Sequence, residues 1–203
     1  MGSEPTEILK DGIQYWHIND KLHREDGPAV IYSDGTQKWY IDGKIHREDG
    51  PAVIYPDGSE EWHINGYLHR EDSPAIIGKT GKILEWWYHG FRHREDGPAI
   101  IEYDDCGNVL YETWYMNNVI HREDGPAYTN YFTGEFAYYC RGYLHRTDGV
   151  SQYRPRLPKP KHYHIHGKYM TDKFRKWCID MNCEMCDENF QVFVFEHYAQ
   201  DTI

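Results

Sequence analysis

The residues best suited to chemistry in this chain form a repeated tetrad, His-Arg-Glu-Asp. A guanidinium group binds carboxylates and phosphates, an imidazole moves protons or ligates metals, and carboxylates accept hydrogen bonds or hold cations. The tetrads supply these candidate ligand-binding or inter-repeat residues: His23, Arg24, His46, Arg47, His69, Arg70, His93, Arg94, His121, Arg122, His145 and Arg146. The sixth tetrad carries Thr147 where the other five carry Glu.

Repetition favours a structural role for the tetrad, because a catalytic site is needed once whereas a loop that defines the fold is needed in every repeat. In such a role the Arg bridges neighbouring carboxylates, and the Asp fixes the turn that follows. Two alternatives stay open: a ladder of Arg side chains that binds a small anion such as a nucleotide signal, and cation binding by the repeated His and Asp. The sequence has no phosphate-binding glycine loop, nucleophile elbow or HExxH motif, so we expect no enzymatic activity.

A second cluster of candidate ligands lies near the C-terminus. Cys183 and Cys186 are separated by two residues, the gap common in zinc sites. Cys178 and His197 complete a candidate set of four ligands, and His164 and His166 are further candidates. The alternative is a group of reduced cysteines in a helical cap. Zinc is therefore the one cofactor that the sequence suggests, and no other is expected.

Three alternating histidines, His162, His164 and His166, lie on the last predicted hairpin. Because side chains alternate along a strand, all three are expected on one face. We interpret that face as the solvent side of an edge strand, with Tyr163 and Ile165 inward, and a metal cluster or a partner contact is the alternative.

The elements that position the tetrads are predicted from a longer string. HREDGPA recurs intact at residues 23–29, 46–52, 93–99 and 121–127. In the unit that begins at His23, the β-branched run 29–32 predicts a strand, Ser-Asp-Gly at 33–35 predicts a turn, and residues 37–41 predict a second strand. Each unit is therefore expected to be one β-hairpin followed by the tetrad loop.

An aromatic residue occupies the same position, called here the slot, in the second strand of every unit. The slot holds Trp16, Trp39, Trp62, Trp86, Trp114, Tyr138 and Tyr163. Since a lone hairpin is marginal in water, we expect neighbouring hairpins to stack and bury a continuous stripe of Trp and Ile side chains. Tyr40, His63, Tyr88 and Tyr115 lie one or two residues beyond the slot, and we predict that they form a partner-binding face opposite this core.

The ends of the array depart from the repeat, as array ends do. The predicted divisions are an N-terminal segment at 1–12, hairpin repeats at 13–150, a Pro-rich bridge at 151–161, and the last hairpin with a C-terminal cap at 162–203. Thr171 is typical of a helix N-cap, and Phe174, Trp177 and Met181 follow at helical spacing. The predicted fold class is all-β: an elongated array of about seven antiparallel hairpins with a small C-terminal helical cap.

The charge balance excludes several classes of partner. The chain has 203 residues, with 22 Lys and Arg against 33 Asp and Glu, a formal net charge of −11. Residues 150–203 hold 8 basic and 7 acidic side chains, a net of +1, so the first 149 residues carry −12. This acidity disfavours general nucleic-acid binding and anionic membranes, and it favours a protein partner with a basic surface. With no signal segment and no apolar run of membrane-spanning length, the expected location is the cytoplasm.

The hairpin unit, with its strand, Asp-Gly turn and Trp-Tyr-x-x-Gly-Lys strand, resembles MORN-type repeats. The HREDGPA loop resembles a repeat found in uncharacterised proteins of phages and large DNA viruses. The resemblance covers about residues 13 to 170. It implies a non-enzymatic repeat scaffold that binds another protein, and, for a viral member, an antagonist of a host defence or toxin protein that acts in the host cytoplasm.

Overall fold

Each repeat contains two short antiparallel hairpins, which meet at the slot aromatic. The structure is a computed structural model, and it describes residues 4–157, 161–181, 185 and 187–198. One hairpin of each repeat, the main hairpin, contributes strands to a large sheet, whereas the other, the minor hairpin, forms a two-stranded sheet of its own. The chain divides into a first unit, Met1–Asn108, and a second unit, Val109–Ile203.

The large-sheet strands of each unit are antiparallel and follow one another in chain order. In the first unit they are Glu7–Ile8, Gln14–Tyr15, Val30–Ile31, Gln37–Lys38, Val53–Ile54, Glu60–Glu61, Ile76–Ile77, Ile83–Glu85 and Ile100–Tyr103. In the second unit they are Val109–Thr113, Tyr128–Asn130, Glu135–Ala137, Gln152–Tyr153 and Lys161–His162. Since each strand pairs with the next one along the chain, the sheet within a unit grows by one hairpin per repeat.

The minor hairpins join pairs of two-residue strands. In the first unit they are His17–Ile18 with Lys21–Leu22, Tyr40–Ile41 with Lys44–Ile45, His63–Ile64 with Tyr67–Leu68, and Trp87–Tyr88 with Phe91–Arg92. In the second unit they are Tyr115–Met116 with Val119–Ile120, Tyr139–Cys140 with Tyr143–Leu144, and His164–Ile165 with Lys168–Tyr169. Their two-residue turns have positive φ at both positions, for example 50° at Asp42 and 79° at Gly43, which is the type I′ geometry that Asp-Gly and Asn-Gly favour.

The slot residue is the corner between the two hairpins of a repeat. The Trp39 N–H donates to the Ala52 carbonyl in the large sheet (2.8 Å), whereas the Trp39 carbonyl accepts from the N–H of His46 beyond the minor hairpin (3.1 Å). The predicted strand 37–41 is therefore broken at Trp39 into two strands that pair with different partners. The expectation of one hairpin per unit is therefore wrong, because Asp42 and Gly43 form the turn of a second hairpin.

The most buried residue of the repeat is the alanine that ends the HREDGPA string. The side chains with no exposed area include Ala29, Ala52, Ala75, Ala99 and Ala127, and in the sixth repeat Ser151 takes this place with the same burial. Val30 and Val53 follow two of these alanines and are 1% exposed. The predicted stripe of Trp and Ile does not form the core, since Ile18 is 53% exposed and most slot tryptophans are only half-buried.

The C-terminal part consists of two helices, Thr171–Asp180 and Asp187–Tyr198. They pack on the seventh slot residue, Tyr163, whose ring lies 5.0 Å from that of Phe174 and 4.5 Å from that of Phe190. Thr171 is the first helical residue and not the N-cap; its hydroxyl accepts the Tyr163 N–H at 3.0 Å. That hydroxyl replaces the alanine carbonyl that a following repeat would supply, and the helices thus end the repeat pattern.

The predicted fold class is confirmed in its composition: strands arranged as antiparallel hairpins, with a small helical part at the C-terminus. The proposed Pro-rich bridge at 151–161 begins and ends with paired strands, Gln152–Tyr153 and Lys161–His162, so it includes both arms of a main hairpin. In the described residues, no helix has the length and apolar character needed to span a membrane.

Candidate functional site

Every tetrad arginine lies over the slot aromatic that precedes it by eight residues. The distances from the guanidinium carbon to the ring centre are 4.0 Å for Arg24–Trp16, 4.3 Å for Arg47–Trp39, 3.9 Å for Arg70–Trp62, 4.0 Å for Arg94–Trp86, 3.9 Å for Arg122–Trp114 and 4.2 Å for Arg146–Tyr138. These are cation–π contacts, which stabilise most where the cation is shielded from water. The constant spacing of eight residues is the sequence signal that was missed.

The arginine is also bound to its own loop by two hydrogen bonds. Arg47 donates from Nε to an Asp49 carboxylate oxygen (2.8 Å) and from Nη1 to the Pro51 carbonyl (3.2 Å). The hydrogen bond from Arg47, together with its charge, lowers the pKa of Asp49. The tetrads at Arg24, Arg94 and Arg122 repeat both bonds, so the loop closes around the guanidinium group.

The histidine and the backbone of the tetrad link each repeat to the next within a unit. His46 accepts the Asn65 N–H at Nδ1 (3.0 Å), and the Arg47 N–H donates to the His63 carbonyl (3.1 Å). A third bond joins the Gly66 N–H to the Ile45 carbonyl (2.8 Å). A ring nitrogen that accepts a hydrogen bond carries no hydrogen of its own, so this link uses the Nδ1 lone pair. The tetrad therefore supplies part of the interface between repeats.

The glycine of HREDGPA makes room for the arginine. A Cβ added to Gly50 would lie 2.9 Å from the Arg47 Cζ, closer than real side chains approach. The third repeat carries Ser73 at this position. There Arg70 keeps its contact with Trp62 and its bond to the Pro74 carbonyl, but within the part of the chain that the structure describes it forms no ion pair with its tetrad aspartate.

Replacing Gly50 by Ala is expected to lower the free energy of unfolding by about 1 kcal/mol, because the new methyl group pushes the Arg47 guanidinium away from its partners. At an unconstrained site the same change raises stability by about 0.4–1 kcal/mol through the unfolded chain. Urea unfolding measures the difference. In an Arg47→Ala background, Gly50→Ala should instead raise the free energy of unfolding, because the clash is gone. A Gly50→Ala variant that still lost stability in that background would contradict the steric explanation.

The glutamates of the tetrads remain exposed to solvent. The side chains of Glu25, Glu48, Glu95 and Glu123 are 82–88% exposed, and they approach His Nε2 only at 3.6–3.8 Å. Surface pairs with this geometry contribute little to stability. The tetrad glutamates are thus available to a partner, and so are the equally exposed carboxylates of Asp49, Asp96 and Asp124.

The structure does not bring the predicted partner-binding residues onto one exposed face. Tyr40 and Tyr115 are half-buried, and burial raises the pKa of Tyr40. His63 is 8% exposed and lies 2.8 Å from Glu61 through Nε2. Tyr88 is 44% exposed. The difference follows from strand geometry, because Tyr88 lies two residues beyond its slot and the other three lie one residue beyond.

Tyr88 belongs to an exposed cluster, called here the aromatic patch, with Tyr67 and Phe91. The three side chains are 44%, 61% and 49% exposed for Tyr88, Tyr67 and Phe91. Tyr88 and Phe91 are cross-strand partners in one minor hairpin, and the Tyr67 ring covers Gly90 in its turn, where a Cβ would be 3.0 Å from the ring. The patch adjoins a groove of about 480 Å³ lined by Tyr88, Glu71 and Glu95 among others.

The three histidines of the last hairpin do not form one solvent face. His164 is 9% exposed, and its Nδ1 lies 2.9 Å from the Ser151 hydroxyl. His166 is a turn residue with a φ of 44°, and its ring stacks on His145 at 4.4 Å. Tyr163 and Ile165 are both buried, as predicted.

Acid is expected to destabilise the protein through His164. Burial, and then the charge of His162, lowers the pKa of His164 from 6.5 to about 4. The unfolded chain takes up this proton near pH 6.5 and the folded chain only near pH 4, so the stabilisation is complete above pH 6.5 and is lost as the pH falls through this window. We expect a loss on the order of 2 kcal/mol. Urea unfolding between pH 6.5 and pH 4 measures this loss of stability. If the His164→Gln variant lost as much stability over the same range, the assignment to His164 would be contradicted.

The candidate zinc ligands are only partly described. Cys178 is 3% exposed in the C-terminal core, and His197 stacks on Phe193 with ring centres 5.0 Å apart. Cys183 and Cys186 lie outside the described residues, so a zinc site stays a prediction. Among the residues that are described, no group of three or more His, Cys, Asp and Glu is arranged to hold a metal ion.

No family model matches the chain, and no curated protein has a significantly similar sequence. The likeness to MORN-type and viral repeats therefore stays a prediction from the repeated strings.

Proposed function

We propose that the protein is a non-enzymatic scaffold that binds a protein with a basic surface, and that the aromatic patch of the first unit is the centre of the contact. The observation that carries this proposal is the exposure of Tyr88 and Phe91 on paired strands, with the exposed Tyr67 ring over Gly90 in the turn that joins those strands. Large aromatic side chains supply much of the binding energy at protein interfaces. An exposed cluster of them on a chain with a mean hydropathy of −0.84 calls for a partner.

The charge around the patch favours a basic partner. The adjoining groove is lined by four carboxylates, from Glu71, Asp72, Glu95 and Asp96, and by two arginines, which stack on their slot tryptophans. Lys or Arg side chains of a partner would meet the exposed glutamates while an apolar residue covers the aromatic rings. Complementary charge of this kind speeds association and selects the partner.

The internal use of the tetrad supports a scaffold over the alternatives. Its arginine, histidine and aspartate groups are bonded within the repeat or to the next repeat, as at Arg47 and His46. A ladder of free guanidinium groups for anions, or a proton-transfer site in each loop, would need these groups to face a ligand. A viral protein with this surface would act on a basic host defence or toxin protein in the cytoplasm, as the repeated strings suggest.

The test is capture of partners from host cells by immobilised protein, with variants that keep the fold. The double variant Phe91→Ser, Tyr67→Ser should no longer capture the partner. Phe132→Ser, at a 77% exposed residue of the second unit, should capture it as the native chain does. Glu71→Lys with Glu95→Lys should weaken capture, and capture should fall between about 0.01 and 0.15 M salt. Binding that is indifferent to these changes would rule out the patch as the contact.

A further inference from the structure

One tetrad groove of the second unit departs from its counterparts in the first unit. It lies between the loops that begin at His121 and His145, and its volume is about 850 Å³, against 480–560 Å³ for three grooves of the first unit. A space of 300–1,000 Å³ is typical of small-molecule sites. The larger groove therefore has room for a ligand with several rings or charged groups.

The charges that line this groove also differ. It has three arginines, namely Arg122, Arg141 and Arg146, and three carboxylates. The groove between the loops of Arg70 and Arg94 has two arginines and four carboxylates. Two changes in sequence produce the difference: Thr147 replaces a tetrad glutamate, and Arg141 occupies the first turn position of a minor hairpin. The net charge of the lining rises from −2 to zero, and the acidic field that repels anions elsewhere in the array is removed.

Arg141 has an unfavourable backbone conformation for its residue type. Its φ is 49°, in the left-handed region, where the equivalent turns of other repeats have Asn, Asp or His, as at Asn65, Asp42 and His89. Asn and Asp tolerate this region, and for most other residues it costs about 1 kcal/mol or more. The Arg141 side chain is exposed and, among the described residues, forms no hydrogen bond or ion pair that would compensate. Every minor hairpin has this turn geometry, so the feature that distinguishes Arg141 from its counterparts is its exposed positive charge.

A second exposed group stands beside Arg141 in the same minor hairpin. Tyr143 is 62% exposed, and one edge of its ring covers Gly167, where a Cβ would be 3.0 Å away. The rest of the ring lines the groove. A planar ring stacked on a tyrosine is stabilised by about 1–3 kcal/mol. The groove thus combines a cation and an aromatic platform.

We propose that this groove binds a small organic anion that joins a phosphate group to a planar ring, of which a nucleoside monophosphate is the simplest example. Arg141 contacts the phosphate, Tyr143 stacks on the ring, and Thr147 leaves the space and charge that a glutamate would take. The site goes beyond the proposed protein contact, because it uses other residues and lies in the other unit.

Isothermal titration of the full chain with AMP, adenosine and inorganic phosphate tests this site. AMP should bind, phosphate should compete with it, and adenosine should bind at least about tenfold more weakly because it lacks the charge. Two variants restore the residue types found in other repeats, Arg141→Asn and Thr147→Glu, and each should weaken AMP binding by at least about tenfold without lowering the melting temperature.

Asp42→Asn, at the equivalent turn of the first unit, is the matched control and should bind AMP as the native chain does. The proposal is overturned if the native chain binds neither AMP nor phosphate, if adenosine binds as well as AMP, or if both groove variants bind as the native chain does. None of these results bears on the aromatic patch, so failure here is separate from failure of the proposed protein contact.

Discussion

Replacing Arg47 by Ala is expected to lower the free energy of unfolding by about 3 kcal/mol, the sum of a shielded cation–π contact and a charged hydrogen bond to a carbonyl. The side chain is 24% exposed, lies 4.3 Å from the Trp39 ring centre and bonds to the Pro51 carbonyl. Its ion pair with Asp49 adds little, since that carboxylate is 83% exposed. Chemical denaturation followed by circular dichroism measures the loss.

Two further arginines calibrate this result. Arg70→Ala should cost about as much as Arg47→Ala, because Arg70 has the same ring and carbonyl contacts and lacks only the aspartate pair, which adds little. Arg175→Ala removes an exposed helix pair with Asp172 and should cost no more than about 0.5 kcal/mol. If all three variants were equally stable, the tetrad arginines would not hold the loops.

Replacing Ala52 by Leu is expected to cost about 3 kcal/mol, because the alanine has no exposed area and the larger side chain must displace the backbone around it. The same alanine recurs in five repeats, which indicates a fixed spacing at that position. Thermal unfolding should show a large decrease in melting temperature.

Ala52→Ser is the matched control for size. The sixth repeat has Ser151 at this position with no exposed area, and its hydroxyl bonds to the His162 carbonyl at 2.9 Å. Serine at position 52 should therefore fit and cost about 1 kcal/mol for its buried hydroxyl. A leucine variant as stable as the serine variant would show that the site has spare volume.

Much of the fold could be predicted from sequence because turn-forming residues mark the same positions in every repeat. Gly27, Gly50 and the Asp-Gly turns divide the chain into short segments of strand-forming residues. The minor hairpin was not predicted, because residues 37–41 have the pattern of one continuous strand and the break at Trp39 leaves no mark in it. The strands of that hairpin exist because hydrogen bonds from neighbouring repeats, such as Gly66 to Ile45, hold them in place.

The candidate site was harder to predict, since burial and orientation decide it. Arg47, in a tetrad loop, is stacked and hydrogen-bonded, whereas Arg141, in the turn of a minor hairpin, is exposed, and residue type alone does not separate them. The eight-residue interval between the slot aromatic and the tetrad arginine identifies the stacked arginines in the sequence. Arg141 was identifiable only as a cation at a turn position that holds Asn, Asp or His in the other repeats, and the exposure of Tyr67 depends on the glycine that it covers.

A double-mutant cycle between Arg47 and Trp39 tests the central claim, that the tetrad holds the repeat together. The free energies of unfolding of Arg47→Ala, Trp39→Leu and the double variant are compared with that of the native chain. We predict a coupling energy of about 1 kcal/mol or more, because the cation–π contact stabilises the fold only when both the arginine and the tryptophan are present. Additive losses of unfolding free energy, with a coupling energy near zero, would contradict this claim. The tetrad arginines would then again be candidate ligand-binding groups.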